Sequence, residues 1–156
     1  MAKRLEIKFE KLYELTDRLN FFNTMSKPQR IEVLKHLGSD LYVYANQEAI
    51  IHEGDDDHAL FVILSGHVGV KKGEDEFSAI GALDSGDIFG EVSFITGSKR
   101  MSSVYAQAET IVLKLSKNKF NILDLSLQML IKDKVIFKLI ARLDKMNRRV
   151  LKLRNM

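Results

Sequence analysis

The chain has no cysteine and no tryptophan, and its 156 residues hold a single proline and nine glycines. Without cysteine there can be no disulfide, no thiol nucleophile and no thiolate zinc site. No run approaches the roughly 20 apolar residues of a membrane-spanning helix, so no membrane span is expected. The N-terminus shows no cleavable-leader pattern, and the cytoplasm is the expected compartment. Charge of neither sign dominates, since 24 Lys and Arg stand against 21 Asp and Glu. The balance is nevertheless uneven: residues 132–156 hold nine Lys and Arg with two Asp, which leaves the first 131 residues net acidic. Any argument for a polyanionic partner therefore concerns the tail alone. A chain of this length buries about two-thirds of its unfolded surface, enough for one core without a metal or crosslink.

Near the start, Phe9, Leu12, Tyr13 and Leu19 fall close to helical spacing and predict an amphipathic helix. A second helix is better marked. Ser26 can cap it, Pro28 lies in the first turn, Gln29 stands three residues after the cap, Ile31, Leu34 and Leu37 form a stripe, and Gly38 ends it. From Leu41 the period drops to two: Leu41 and Val43, then Leu60, Val62 and Leu64, Val68 and Val70, Val104 and Ala106, and Ile111, Leu113 and Leu115. Turn signals at Gly54-Asp55, Ser65-Gly66, Lys72-Gly73, Ser85-Gly86 and Gly97-Ser98 separate these short strands. Such a pattern suits an antiparallel barrel or jelly roll and argues against a parallel sheet with crossover helices.

After Ser116 neither glycine nor proline recurs, and a short helix followed by a long one is expected. Ile136, Leu139, Leu143, Met146, Val150 and Leu153 are spaced alternately three and four apart, the seam of a coiled coil. The expected partner on this seam is a second copy of the chain, giving a homodimer. Val135, Ile140 and Leu151 form a second apolar edge, expected to pack on the barrel.

The chemistry is concentrated between Gly86 and Val104. This stretch reads as a strand end, a sharp turn at Gly90, a carboxylate at Glu91, one helical turn, and a polar turn carrying Lys99 and Arg100. An arginine beside free backbone N–H groups at a turn or short helix binds phosphate by fork and cradle. A carboxylate nine residues earlier can accept a sugar hydroxyl, and the two together on one loop describe a site for a nucleotide sugar-phosphate.

Several motifs in order resemble the cyclic nucleotide-binding domain family. They are the segment from Leu19 to Ser26, Ile50-Ile51-His52-Glu53-Gly54-Asp55, Leu60-Phe61-Val62-Ile63-Leu64-Ser65-Gly66, and Gly86-Asp87-Ile88-Phe89-Gly90-Glu91, which opens a segment similar to the family's phosphate-binding cassette. The resemblance implies a mainly β fold with flanking helices in one domain, 1–156. Residues 1–38 would form N-terminal helices, 39–116 an antiparallel β jelly roll (double-stranded β-helix) with its cassette at 89–104, and 117–156 the C-terminal helices, the last of them long. By the same resemblance Glu91 takes the ribose 2′-hydroxyl, Arg100 pairs with the cyclic phosphate, and the backbone of Gly90 approaches the ribose. Phe89, Val92, Met101 and Ser102 complete the cassette side of the pocket. Asn147 and Arg148, with Lys145, are the places on the long helix to look for contacts to the base. The implied ligand is cAMP, with cGMP as the other candidate, and no cofactor is implied. In relatives similar to the catabolite activator, the long helix also pairs with its twin. Those relatives append a helix-turn-helix that does not follow here, so either an unknown downstream protein receives the signal or the sequence is a piece of a longer chain.

The cassette departs from the family pattern at Lys99, Met101 and Ser102, where proline, a small residue and alanine are usual. This keeps a second function open, a ligand-free homodimeric scaffold with a degenerate cassette. Without a ligand, Glu91 can also be read as the structural partner of Arg100. His52, Glu53, Asp55, Asp56, Asp57 and His58 cluster without metal-site spacing, so an acidic hairpin turn is expected and no metal. His36 and His67 have no nucleophile motif nearby, no poised acid–base pair is present, and no catalytic role is assigned. The basic tail is read as the solvated face of a dimer helix rather than a nucleic-acid surface, because no aromatics are interleaved for base stacking.

Overall fold

The computed structural model describes residues 2–37, 40–73 and 77–156. A two-residue strand β1 (Lys3–Arg4) precedes α1 (Phe9–Thr16), α2 (Asn20–Asn23) and α3 (Lys27–Leu37). The start of α3 is a reciprocal capping box: Gln29 N–H donates to Ser26 Oγ at 3.3 Å, and Ser26 N–H donates to Gln29 Oε1 at 3.0 Å. The stop expected at Gly38 lies outside the described residues. The buried face of α3 is Arg30, Val33, Leu34 and Leu37, with Ile31 only half-buried. Arg30 owes its place there to α1, where its guanidinium lies 3.5 Å from the Tyr13 ring centre and reaches Asp17 Oδ1 at 3.2 Å.

The strands are β2 (Leu41–Tyr44), β3 (Ala49–Ile51), β4 (Leu60–Ser65), β5 (His67–Lys71), β6 (Phe77–Asp84), β7 (Ile88–Phe89), β8 (Ser103–Ala106) and β9 (Thr110–Leu115). Between β7 and β8 lies α4 (Glu91–Thr96), and after β9 come α5 (Lys117–Ile122) and α6 (Leu125–Arg154). Two sheets form, in the orders β1-β2-β9-β4-β7 and β3-β8-β5-β6, and the recorded pairings are antiparallel. This is the jelly roll with flanking helices that the strand pattern predicted.

Two apolar clusters explain how the layers hold. One lies between the facing sheets and includes Phe61, Ile63, Val68, Phe89, Val104 and Val112. The other lies between the five-stranded sheet and the helices, and joins Leu60, Val62 and Leu64 to Phe22, Leu34, Phe120 and Ile131. Strand β4, interior to its sheet, is therefore buried on both faces, whereas the period-two pattern alone marks only Leu60, Val62 and Leu64. The turn from β4 to β5 needs glycine: at Gly66, with φ +104°, a Cβ would lie 2.5 Å from Thr110 Oγ1.

Helix α6 is buried at Leu127, Ile131 and Val135, and then runs out along the barrel rim. Two expectations for it change. Leu139, assigned to the dimer seam, packs partly into the core. Ile140 and Leu151, assigned with Val135 to the barrel-facing edge, are about half exposed. Five residues turn a helix by about 140° relative to the starting face, so Val135 and Ile140 cannot share one. No helix among the described residues is long and apolar enough to cross a membrane.

Candidate functional site

The site is built around the end of β7. Gly90 has φ +79°, and a Cβ there would fall 2.8 Å from both Ala59 O and Arg100 Nη1, so only glycine lets the chain turn this close to the barrel wall. Helix α4 follows at once and stops at Gly97, also left-handed. The loop after α4 is stitched to the connection between β3 and β4: Arg100 N–H donates to Asp55 O and Gly54 N–H donates to Arg100 O, both at 2.8 Å. These two bonds hold Arg100 with its side chain pointing inward.

The Arg100 side chain is buried, with 4% of the residue exposed. Its Nη1 donates to Gly90 O at 3.0 Å, and its Nη2 donates to Asp57 Oδ2 at 2.8 Å and to Ala59 O at 2.7 Å. The Nε–H is buried and has no partner among the described residues. An unmade hydrogen bond at a buried charged donor costs about 1–3 kcal/mol or more, and an anion in front of it would recover that cost. Burial disfavours the charged form of Asp57, but the Arg100 hydrogen bond and charge outweigh it, helped by the Ala59 amide and Lys114, and hold the carboxyl below the usual carboxylate range. Across the ring stack of Phe61 and Phe89, whose centres are 4.9 Å apart, the same guanidinium sits 5.9 Å from the Phe61 ring.

Glu91, the first residue of α4, is 9% exposed. Its partner is Arg142 of α6, whose Nη1 reaches Oε1 at 3.1 Å while Nη2 donates to Ile88 O at 2.8 Å. Among the described residues no donor reaches Glu91 Oε2. Glu91 is thus not paired with Arg100, as it could be read from the sequence; each of the two charges has its own partner, and Glu91's comes from outside the barrel. At the other end of α4, Lys117 Nζ donates to Phe94 O at 2.8 Å and lies 4.4 Å from the Phe94 ring centre. Burial, with Lys132 adding repulsion, pushes the Lys117 ammonium down from its ordinary value. Helix α4 is therefore tied to α6 at its start and to α5 at its end.

Beside these charges is a cavity of about 230 Å³, lined by Val70, Leu83, Phe89, Gly90, Glu91, Val92, Met101, Ser102 and Val104, with Lys72 and Arg142 at its edge. A recess of about 70 Å³ shares Gly90, Glu91, Val92, Met101, Ser102 and Val104 with it and reaches Ile51, Ser93 and Arg100. One wall is apolar, and the polar groups converge at the cassette, the usual arrangement of a small-molecule site. Of the residues singled out in the sequence, Phe89, Gly90, Glu91, Val92, Arg100, Met101 and Ser102 are gathered here. Asn147 and Arg148 are not: they lie on the exposed outer side of α6, where Arg148 pairs with Asp144 at 3.2 Å. Met101, which replaces a small residue, is 56% exposed and stands at the mouth instead of filling the cavity.

The sequence pattern assigns a site role to neither Asp57 nor Arg142, and both matter at the site. Asp57 was absorbed into an acidic turn, and nothing local distinguishes it from Asp55 or Asp56. Arg142 had a signal: it continues at helical spacing the face of Ile131, Val135 and Lys138. Among the described residues no group of three or more His, Asp or Glu is placed to hold a metal ion.

Residues 42–123 match the family described as cyclic nucleotide-binding domain. The chain is 35% identical over 77 residues, 49% of its length, to a cAMP-dependent protein kinase regulatory subunit of Hypocrea atroviridis. It is 30% identical over 112 residues, 70% of its length, to the subunit of the same description from Neurospora crassa. It spans only 16% and 28% of those two proteins. Among solved structures, a cyclic nucleotide-binding domain from Methylobacillus flagellatus KT superposes with a TM-score of 0.71 at 25% identity, covering 95% of this chain and 84% of that one.

Proposed function

Since the chain belongs to the cyclic nucleotide-binding domain family, we propose that it is a non-enzymatic sensor that binds a purine cyclic nucleotide, cAMP before cGMP, and reports occupancy through α6. The observation that carries this reading is the buried Arg100 Nε–H without a partner, at the end of a recess walled by the cassette. The cyclic phosphate accepts from that N–H. The ribose hydroxyl donates to Glu91, whose Oε1 is held by Arg142 and whose Oε2 is met by no donor among the described residues. The base lies along Val70, Leu83 and Val104, and both kinase subunits named above carry cAMP in their descriptions.

Signalling follows from the partner of Glu91. A ligand that loads this carboxylate acts on the group that Arg142 holds, so the position of α6 and the occupancy of the cavity share one free energy. Ile136, Leu143 and Val150, seven residues apart and each about half exposed or more, offer a second copy of α6 a coiled-coil face. A homodimer on that face is the second part of the proposal. The scaffold alternative keeps only this part.

Thermal unfolding of the whole chain, titrated with cAMP and with cGMP, tests the reading, because a ligand bound only to the folded state raises its stability by RT ln(1 + [L]/Kd). The expected result is a saturable rise that Arg100→Lys and Glu91→Gln each reduce. No rise at millimolar concentrations of either nucleotide, in a chain that melts cooperatively, leaves the scaffold reading. Leu143→Glu is expected to abolish a dimer without changing the rise.

A further inference from the structure

The face of α6 that meets the barrel runs through Ile131, Val135, Lys138, Arg142, Lys145 and Arg149, spaced alternately four and three apart. Its chemistry changes partway. Ile131 and Val135 are fully buried in the core, and the next four members are all cations. Where the cations begin, the helix passes the turn between β6 and β7 and leaves a cleft of about 200 Å³. Lys138, Arg142, Lys145 and Arg149 line one wall, and Asp84 and Asp87 the other.

Carboxylates partner two of the four cations, Lys138 through Asp87 and Arg142 through Glu91, and leave the other two. Asp84 Oδ1 is 2.6 Å from His67 Nδ1, and Asp87 Oδ2 accepts the Asp84 N–H at 2.9 Å. Asp87 Oδ1 is left 3.9 Å from Lys138 Nζ, and Arg142 is committed to Glu91 and Ile88 O. Among the described residues Lys145 and Arg149 have no hydrogen-bond or ion-pair partner. They continue the buried stripe and face a cavity, while Arg148, one position round, points outward to Asp144.

We propose that this cleft binds a small polyanion carrying two or three linked phosphoryl groups. Its volume equals that of about six or seven waters, which suits such a group and not a folded partner. The Arg149 fork and the Lys145 and Lys138 ammonium groups supply the paired and point-charge donors that phosphoryl oxygens take. Arg142 stands between this cleft and the nucleotide cavity and lines both, yet the site needs no cyclic nucleotide to be occupied.

The test is isothermal titration calorimetry of the whole chain with inorganic triphosphate, at an ionic strength of about 0.15 M so that diffuse surface charge is screened. Saturable one-to-one binding is expected, weakened at least about tenfold by Lys145→Glu with Arg149→Glu and unchanged by Arg148→Glu, as loss of charge-assisted bonds within the cleft requires. All three positions are exposed, so the variants should melt like the parent. Absence of binding overturns the proposal. So does an equal loss in Arg148→Glu, which would assign the effect to the charge of the tail as a whole. Tighter binding of a DNA duplex than of triphosphate, with the same dependence on Arg148, would make the tail a nucleic-acid surface instead.

Discussion

At one end of the cassette cavity the Arg100 guanidinium is held by the barrel itself, through Asp57, Ala59 and Gly90, whereas at the other the Glu91 carboxylate is held by Arg142 of α6. Both charges are buried, and a buried charge stripped of its partner is costly. The difference lies in what each partner belongs to. Strands and the stitched loop fix the Asp57–Arg100 pair, so that end is a rigid socket. The Glu91–Arg142 pair spans two elements, and only α6 ties it to the part of the molecule that projects from the barrel. On the proposed function, a ligand touching both ends would be anchored at one and read out at the other.

Substitutions at the two ends should behave differently, and the largest effect belongs to the socket. Arg100→Ala removes the proposed phosphate donor and leaves Gly90 O and Ala59 O without their partner; it should abolish the cyclic-nucleotide shift in melting temperature, a loss of about a hundredfold or more in affinity from charged hydrogen bonds. If Arg100→Ala bound normally, the rigid end would not be the anchor. Gly90→Ala forces a Cβ to 2.8 Å from Ala59 O and Arg100 Nη1 in a left-handed conformation. It should lower both the melting temperature and nucleotide affinity, the latter by about tenfold, since backbone strain of this kind costs about 1–3 kcal/mol. Arg142→Gln should cost less than about tenfold in affinity, as expected of one charge-assisted bond at a partly exposed site. Its signature is elsewhere: amide exchange along residues 136–154 should quicken, and nucleotide should no longer change it. Unaltered exchange there would mean that α6 does not report on Glu91.

The smallest effect is a pH dependence at the socket. The Asp57 carboxyl is held below its ordinary value in the folded chain, so the stability it contributes is complete above the unfolded carboxylate pKa of about 4. It is lost as the pH falls from there through the folded value. Melting temperatures measured downward from pH 6 should decline more steeply for the parent than for Asp57→Asn, with the two curves parallel above about pH 5. Equal slopes on the acid side would remove Asp57 from the account of how Arg100 is held.

Much of the fold was legible because its signals are local. The capping box at Ser26 and Gln29, the alternation from Leu41 onward and the glycine punctuation each act over a few residues, and the elements stand where they put them. Strands β1, β3 and β6 and the second buried face of β4 were not legible: β1 and β3 have two and three residues, too few for a period, β6 is interrupted by Gly81 at φ +64°, and burial on the far side of β4 depends on what packs there. At the site, Phe89 to Val92 and Arg100 to Ser102 come from one short segment and line one cavity and its recess. Asn147 and Arg148 lie on the outer side of α6 because one residue turns a helix by about 100°, and the side that meets the barrel is the one that Ile131, Val135, Lys138 and Arg142 continue.

By itself, the sequence determined the kind of fold, the strands with a clear alternation, the cassette with its two charges, and the basic tail, since periodicity, turn chemistry and composition act through neighbours in the chain. Only the tertiary structure decided which charge meets which. Asp57 reaches Arg100 across 43 residues and Arg142 reaches Glu91 across 51, and pairings at such separations are chosen by the register of strands and the rotation of α6 against the core, which the buried faces of Leu127, Ile131 and Val135 fix together.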